Sequence, residues 1–575
     1  MGVEREHGEL IEWENDEIEQ EDVQQPEVTL RRSSRIPKPV HCPCCKMTIF
    51  SNTLPCSEPS SVEPSCMEPS SVEEALSGGE AEHWRAAMME ELENLKRKCT
   101  YEIVKKPAGK NVLGCKWVLK VKQKPDGTVE RYKARLVAQG FSQIPGIDFK
   151  ETYSPVIKRK SIRLLMALAV ENEWVQEHVD VLSAYLNSPL HEEVYMKQPK
   201  YFEEGGQNYV CKLNKSIYGL KQSGREWYEH IDKVLCDLKL KRLTSDPCVY
   251  CDEEKKLIIG VYVDDLALWG KKCKVEWAKQ QLSSVLEIRA LGNMYQMLSL
   301  HVVRPNDAEI IIDQHHYVKQ VLCEYGMSDC KGRVSPLEVN GEGESEGDSD
   351  KCDQYLYRKA VGNLLYLSGS SRPDLCYAVC KISQKCNDPT KKDWNDVKHI
   401  LRYLKHTCDL KLNYERKNAP IEIYCDSDWA NDKDCRKSIS GYVVLLAGAA
   451  ICWQTRKQSV VALSTVEAEY IAMCEATKEA LWLTSILDEL GQSRFAGTPC
   501  KIFADNQGAI SFSKNRIASE KLKHLEVKYN FVRDCVEKGK VYFEYVQSNN
   551  NLADLFTKSV TGVKTEDFVS KLGLR

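Results

Sequence analysis

Two adjacent aspartates, Asp264 and Asp265, lie between two apolar runs, 257–263 and 266–269, that are typical of β-strands. Two carboxylates side by side are costly to bury unless a cation compensates their charge. A solvated hairpin turn tolerates such a pair without any function. Alternatively, a rigid hairpin presents hard oxygen ligands to Mg²⁺, as two-metal phosphoryl transfer requires. A third carboxylate elsewhere in the chain would favour the second interpretation.

That third carboxylate is Asp180, which lies between Val179 and Val181 in a short strand-like run. Side chains alternate along a strand, so the Asp180 side chain points away from those of the two valines. The segment is preceded by a run with helical periodicity at 158–171. With Asp180, the chain has a carboxylate set suited to two-metal chemistry.

A strongly basic segment precedes these acids. Residues 101–165 carry fifteen lysines and arginines against five acids, although the whole chain has a net charge of −4. Alternating apolar and basic residues on both sides of a Pro-Asp-Gly turn predict a hairpin with one positive face. A solvated strand face and a phosphate-binding surface both fit this pattern, and clustered bases favour the second because they release counterions from a polyanion.

Five motifs between Thr152 and Asp265 identify a family: TYSPV, HVDVLSAYLNSPL, EEVYMKQP, CKLNKSIYGLKQS and VYVDD. In this order they resemble the reverse transcriptase of copia-type long-terminal-repeat retrotransposons, and the resemblance extends from about Trp84 to the C-terminus. It implies an α+β right-hand polymerase with fingers, palm and thumb. It assigns metal ligation to Asp180, Asp264 and Asp265.

The same resemblance assigns contacts with template or nucleotide to further side chains. Tyr185 would pack against the incoming sugar, although core packing explains this residue equally well. The complete set placed at the substrate is Lys133, Arg135, Tyr185, Gln222, Tyr262 and His524.

A second group of acids occupies the last third of the chain. Its strand and helix order, β-β-β-α-β-α, resembles ribonuclease H, an α/β fold whose four acids hold two metal ions and activate water against the RNA strand of a hybrid. Any one of these acids is by itself more often a surface group. The predicted metal ligands are Asp426, Glu469, Asp505 and Asp554.

Three nearby residues leave alternatives open. Glu467 is the rival of Glu469, and Asp428 is a weaker rival of Asp426. His524 fits either a role in product release, as the family suggests, or a helix surface. Family histidines are replaced by Ser519 and Asn530.

Composition changes along the chain predict the domain boundaries. Residues 1–30 carry eleven acids and one base, and a Pro-Ser-rich near-repeat follows, so the N-terminal tail is predicted to be disordered. An acidic, Gly-rich stretch predicts a linker and a separate ribonuclease H lobe beyond it. The predicted segments are 1–78 (tail), 79–340 (reverse transcriptase), 341–352 (linker), 353–415 (helical connection) and 416–575 (ribonuclease H-like domain).

Overall composition is that of a soluble globular protein of 575 residues, with 42% hydrophobic and 29% charged residues. No apolar run is long enough to span a membrane, and the acidic N-terminus does not resemble a signal peptide. We therefore expect a cytoplasmic protein, in a virus-like particle, or a nuclear one, with no membrane partner and reduced cysteines. Cys42 and Cys45 form a single C-x-x-C pair without partners at zinc-finger spacing.

The sequence thus predicts an RNA-directed DNA polymerase with ribonuclease H activity, with two Mg²⁺ ions, or Mn²⁺ in their place, at each site. Its partners would be an RNA template, a DNA primer, an RNA/DNA hybrid and deoxynucleoside triphosphates. Protease, nucleocapsid and integrase motifs are absent, so we expect the polymerase end of a polyprotein. The alternative is an inactive or domesticated relic that binds nucleic acid or protein. Ser299, in place of a family glycine, favours the relic, as do Ser519 and Asn530. Retention of all seven acids favours the enzyme.

Overall fold

The computed structural model describes residues 68–123, 128–206, 208–338, 350–432, 434–514 and 526–575. These residues belong to one compact unit, Thr53–Arg575. Residues 1–67 of the predicted tail, most of the predicted linker, Ser519 and His524 lie outside the described residues. None of the described helices is long and apolar enough to cross a membrane.

The first part of the described chain forms two helices and four strands. The basic hairpin is confirmed, since β3 pairs with β4 throughout. Helix α1, which Ser71 caps by accepting a hydrogen bond from the Glu74 amide, lies inside the segment predicted to be unstructured up to residue 78. That boundary is therefore corrected. The elements are α1 (Val72–Ser77), α2 (Ala81–Arg97), β1 (Tyr101–Lys105), β2 (Val112–Leu113), β3 (Cys115–Gln123) and β4 (Val129–Ala138).

The palm follows as a six-stranded sheet in the order β12-β5-β11-β10-β9-β8, and a smaller sheet, β1-β7-β6-β2, extends the fingers. Helix α3 confirms the helical prediction for residues before Asp180. The elements are α3 (Arg159–Glu171), β5 (Val175–Val181), β6 (Pro189–Met196), β7 (Tyr209–Lys215), α4 (Ser223–Asp237), β8 (Lys241–Arg242), β9 (Val249–Cys251), β10 (Leu257–Tyr262), β11 (Asp265–Gly270), α5 (Lys272–Val285) and β12 (Ile288–Asn293).

A third sheet, β13-β14-β15-β16, and four helices come next. The predicted helical connection is present as helices α7, α8 and α9. However, Leu412–Glu415 is a strand that pairs with β15, so the predicted helical segment 353–415 ends earlier than expected. The elements are β13 (Gln296–Met297), β14 (Leu300–Asn306), β15 (Glu309–Asp313), α6 (His315–Glu324), α7 (Gln354–Ser370), α8 (Cys376–Ser383), α9 (Lys391–His406) and β16 (Leu412–Glu415).

The C-terminal domain has the predicted ribonuclease H-like order, extended by further elements. Its sheet runs β19-β18-β17-β20-β21, with β17, β20 and β21 parallel. The elements are β17 (Glu422–Asp428), β18 (Ile439–Leu446), β19 (Ala449–Lys457), α10 (Thr465–Glu489), β20 (Cys500–Ala504), α11 (Gln507–Lys514), α12 (Glu526–Glu537), β21 (Val541–Tyr545) and α13 (Gly562–Lys571).

The chain therefore has an α+β right-hand polymerase fold followed by an α/β ribonuclease H-like domain, as predicted. The two are not separate lobes, because buried residues of the palm and of the C-terminal sheet form one continuous core. Helix α3 is buried on both sides, between β11 of the palm and strands β16 and β19. Its sequence shows only the apolar period, so the second buried face was not predicted.

Two candidate carboxylate centres

Asp264 lies in the turn that joins the interior palm strands β10 and β11. The turn residues are Val263 and Asp264, and Val263 has a φ of 54°. A β-branched residue at positive φ costs on the order of 1–2 kcal/mol. Two hydrogen bonds hold the turn: the Trp227 indole donates to the Val263 carbonyl (2.6 Å), and the Val181 amide donates to the Asp264 carbonyl (2.8 Å). The position of Asp264 is thus fixed by α4 and β5.

Asp180 and Asp265 lie directly opposite each other on β5 and β11, so the palm sheet brings two predicted ligands side by side. Their carboxylates contact other groups: Arg289 donates to Asp180 (2.8 Å), and a His178 ring nitrogen lies 2.8 Å from Asp265. Among the described residues, the carboxylate oxygens of Asp180, Asp264 and Asp265 do not all lie within 4.8 Å of one another. The predicted metal ligands are therefore neighbours that do not converge, since the Asp180 and Asp265 carboxylates contact Arg289 and His178 instead.

The electrostatics around Asp264 favour a cation. Burial raises the pKa of its carboxyl, and the charges of Asp265 and Asp180 raise it further, while Arg135 opposes them. A bound cation would relieve this repulsion. The donor set, three carboxylates, consists of the hard oxygens that Mg²⁺ prefers, so the residues present fit that ion.

An aromatic stack joins the fingers to this centre. The Arg135 guanidinium lies 4.6 Å from the centre of the Tyr218 ring, and Tyr218 packs edge-on against Tyr185 with ring centres 4.9 Å apart. Burial, then Asp264, raises the pKa of Tyr185. The predicted substrate residues Arg135 and Tyr185 therefore both lie near Asp264. Tyr218 was missed, although an aromatic directly before the Gly-Leu-Lys-Gln loop was a usable signal.

The remaining predicted substrate residues differ in accessibility. Lys133 lies on the basic hairpin, where burial, and then Arg135 and Arg131, lower its pKa to about 8. Tyr262 is half-buried opposite Asp265.

Gln222 is only 1% exposed, and its amide donates to the Asp148 carbonyl (2.9 Å) and accepts from Gln143 (2.9 Å). The buried Gln222 side chain is not accessible to a nucleotide in this conformation. Its direct contact with a nucleotide stays a prediction.

The second centre is assembled by the C-terminal sheet. Asp426 lies on β17, Asp505 follows β20, and Asp554 lies in a 3-10 turn, Leu552–Phe556. Parallel strands β17 and β20 bring their carboxyl ends to one edge. As a result, one oxygen from each of Asp426, Asp505 and Asp554 lies within 4.8 Å of the others. Asp426 is 2% exposed and Asp554 is 1% exposed.

Glu469 on α10 lies beside this centre but outside the group of oxygens within 4.8 Å. Burial raises its carboxyl pKa well above the usual range, and Asp426 and Asp505 add to the shift. Its Oε2 atom is buried without a hydrogen-bond partner. The rivals have other contacts: Glu467 accepts from the Leu463 amide (2.5 Å), and Asp428 accepts from the Ile439 amide (2.6 Å). These contacts favour Glu469 and Asp426.

Charge at the second centre is only partly compensated. Burial raises the pKa of Asp426 to about 7, and Asp554 and Asp505 contribute to the shift against the opposing charge of Lys558. Lys558 lies 2.7 Å from Oδ1 of Asp554, and Lys564 lies 2.7 Å from its Oδ2. An all-oxygen donor set with an unsatisfied buried oxygen fits a divalent cation such as Mg²⁺.

Comparison with known proteins defines the class. A sequence model of the family described as reverse transcriptase (RNA-dependent DNA polymerase) matches residues 98–339. The chain is 39% identical over 510 residues to a retrovirus-related Pol polyprotein from transposon TNT 1-94 of Nicotiana tabacum, covering 86% of this chain and 38% of that protein. It is 34% identical over 506 residues to the Pol polyprotein from transposon RE2 of Arabidopsis thaliana, covering 87% and 34%.

A transposon Ty5-1 protein of Saccharomyces cerevisiae is 31% identical over 308 residues, which are 52% of this chain and 100% of that protein. The chain therefore belongs to the copia-type retrotransposon Pol family. It spans 38% and 34% of the length of the tobacco and Arabidopsis relatives.

Two solved foamy viral protease-reverse transcriptases were also found, one in complex with double-stranded DNA and one with an RNA/DNA hybrid. They have TM-scores of 0.46 and 0.43 at 10% and 11% identity; each match covers 81% of this chain, with 70% and 54% of the solved chains.

Proposed function

We propose that this chain is an RNA-directed DNA polymerase that extends a DNA primer on an RNA template, and that its C-terminal domain cleaves the RNA of the resulting hybrid. The observation that carries the polymerase proposal is the position of three acids at the same end of the central palm strands: Asp180, Asp265 and the turn residue Asp264. Membership of the copia-type Pol family supports it.

The proposed reaction assigns a role to each side chain. Asp180, Asp264 and Asp265 would hold the divalent ions, which supply charge neutralisation at the transferred phosphoryl group and activation of the primer hydroxyl. Arg135 and Lys133 bind the triphosphate of the incoming nucleotide. The hydrogen-bonded turn keeps Asp264 in place during the reaction, so catalysis depends on positioning more than on a covalent step.

Asp180 must exchange one partner before it takes part. Its contact, Arg289, has a side chain that is 56% exposed, so the guanidinium can turn into solvent at little cost. Tyr185, packed on Tyr218, is positioned to contact the sugar of the nucleotide.

The second centre supports hydrolysis of an RNA strand. Three carboxylates within 4.8 Å and the buried Glu469 carry this part of the proposal. Asp426, Glu469, Asp505 and Asp554 would hold the ions, here Mg²⁺ or Mn²⁺, and the centre lies at the sheet edge, where the half-buried Asp505 reaches solvent.

The experiment is primer extension with the full chain, comparing wild type, Asp264→Asn and the control Asp237→Asn, which alters an exposed acid at the end of α4. We expect Mg²⁺-dependent incorporation in the wild type and the control, and its loss in Asp264→Asn with the fold intact. Equal incorporation by all three would exclude Asp264 from the chemistry.

A relic that only binds nucleic acid is the second candidate, favoured by Ser299, whose φ of 59° lies in the left-handed region that favours glycine. Salt-dependent binding of hybrid by the wild type without any incorporation would support it.

A further inference from the structure

Lys558 extends its ammonium group into the C-terminal carboxylate centre. Its Nζ atom lies 2.7 Å from Oδ1 of Asp554 and 3.9 Å from Oδ2 of Asp426. The Lys558 side chain is 41% exposed, whereas those of the two acids are 1% and 2% exposed. A cationic group with one end in solvent thus reaches two nearly inaccessible carboxylates.

We propose that Lys558 is a built-in counter-ion that occupies the cation position of this centre and must withdraw before a divalent ion binds. The inference rests on the proposed ribonuclease function, because that function requires a divalent ion among these acids. It adds a competing group from the chain itself, which sets how tightly the ion is held.

The geometry distinguishes Lys558 from an ordinary ion pair. A lysine four residues after an aspartate often forms an exposed pair of small effect. Asp554 does not need Lys558 for its own compensation, because Lys564 already lies 2.7 Å from its other oxygen. Lys558 instead approaches the shared space between Asp554 and Asp426, where the oxygens of the three aspartates come within 4.8 Å.

The acids would be poorly tolerated without this group. Asp426 has one further donor, the Thr557 hydroxyl, and Glu469 Oε2 has none. Carboxylates this little exposed are weakly screened, so their mutual repulsion is large when no cation is present. Withdrawal of Lys558 into solvent is possible because its stem already reaches the surface. A divalent ion therefore competes with an ammonium, and its apparent affinity is reduced by the cost of displacing it.

The test is Mg²⁺ titration by isothermal calorimetry on the full chain carrying Asp264→Asn and Asp265→Asn, so that the heat reports the C-terminal centre. In this background we compare Lys558→Met, Lys558→Arg and Lys571→Met. Lys571 forms an exposed pair with Asp567 and serves as the matched control. We expect Lys558→Met to bind Mg²⁺ roughly tenfold more tightly, because the ion no longer has to displace an ammonium group. Lys558→Arg and the control should keep the parental affinity.

A second readout is the thermal unfolding midpoint. In EDTA, Lys558→Met should unfold at a lower temperature than the parent, and saturating Mg²⁺ should restore it, because the ion replaces the missing charge. Unchanged or weaker Mg²⁺ binding in Lys558→Met would overturn the proposal, as would absence of Mg²⁺ binding in every variant. Tighter binding without RNA cleavage by the wild type would refute the ribonuclease function and leave the counter-ion role standing.

Discussion

Replacing Arg163 by methionine tests how the palm and the ribonuclease H-like domain are held together. Arg163 lies on α3 and is 4% exposed. Its guanidinium donates to the carbonyls of Ile451 (2.8 Å), Gly369 (3.0 Å) and Ser370 (2.9 Å). It also lies 3.9 Å from the centre of the Trp453 ring. One side chain therefore joins the palm, the connection and strand β19.

The expected loss of stability is large. Each hydrogen bond from a charged donor contributes about 1.5–3 kcal/mol, and the three carbonyls would be left buried without a donor. Because the arginine is hydrated when the chain unfolds, we expect a net loss of about 3–5 kcal/mol, the range for breaking a buried charged contact. With an unfolding entropy of about 2.1 cal/mol/K per residue, this corresponds to ~3–5 °C for a cooperative unit of about 500 residues.

The size of the shift also reports cooperativity. If the variant releases the C-terminal domain, about 160 residues unfold alone, and their midpoint falls by ~9–15 °C. Differential scanning calorimetry of the full chain measures both cases. We expect one main transition in the wild type and a lowered, divided transition in Arg163→Met. The control, Arg85→Met, removes an exposed arginine on α2 and should leave the profile unchanged. An Arg163→Met profile that coincides with the control would refute the docked arrangement.

Three further predictions concern residues within the segment that matches the reverse transcriptase family. Burial, then Arg135 and Arg131, lower the pKa of Lys133 to about 8, so unbound Lys133 loses its proton as the pH rises through 8. The KM for the incoming nucleotide should therefore rise between about pH 7 and 9 more steeply in the wild type than in Lys133→Arg. Steady-state primer extension measures this, and identical pH profiles would contradict it. Ser299→Gly should stabilise the chain by about 1 kcal/mol in urea unfolding, because Leu298 and Ser299 form a two-residue turn with φ of 51° and 59°; no gain would mean that the turn carries little strain. Tyr185→Val should raise ribonucleotide incorporation. Tyr185→Phe should not, because it keeps the ring against Tyr218. Equal discrimination between ribonucleotides and deoxyribonucleotides by both variants would argue against contact with the sugar.

Local patterns were sufficient for much of the fold. The apolar runs around Asp264 became β10 and β11, and the basic alternation became the β3–β4 hairpin, because strand period and turn chemistry are both written in neighbouring residues. The order of the C-terminal elements could be predicted for the same reason.

Contacts between distant segments were not predictable. The pairing of β15 with β16 joins strands about a hundred residues apart, and no local period indicates such a partner. Likewise, the bond of Arg289 to Asp180 and the burial of Gln222 depend on which donors the fold brings near. The basic and polar types of these residues suggested exposure, so tertiary context reversed the expectation for Gln222.

We propose that the palm carboxylates extend the primer and that the C-terminal carboxylates cleave RNA, each independently of the other. This proposal is tested most directly by one assay on one substrate: a DNA primer on a labelled RNA template, incubated with the full chain, Mg²⁺ and deoxynucleoside triphosphates, with primer length and RNA length read from the same gel. Asp264→Asn should abolish extension while cleavage of RNA already paired with the primer continues, and Asp505→Asn should abolish cleavage while extension continues, because the two acids share no partner. Loss of both reactions in either folded variant would contradict two separate centres.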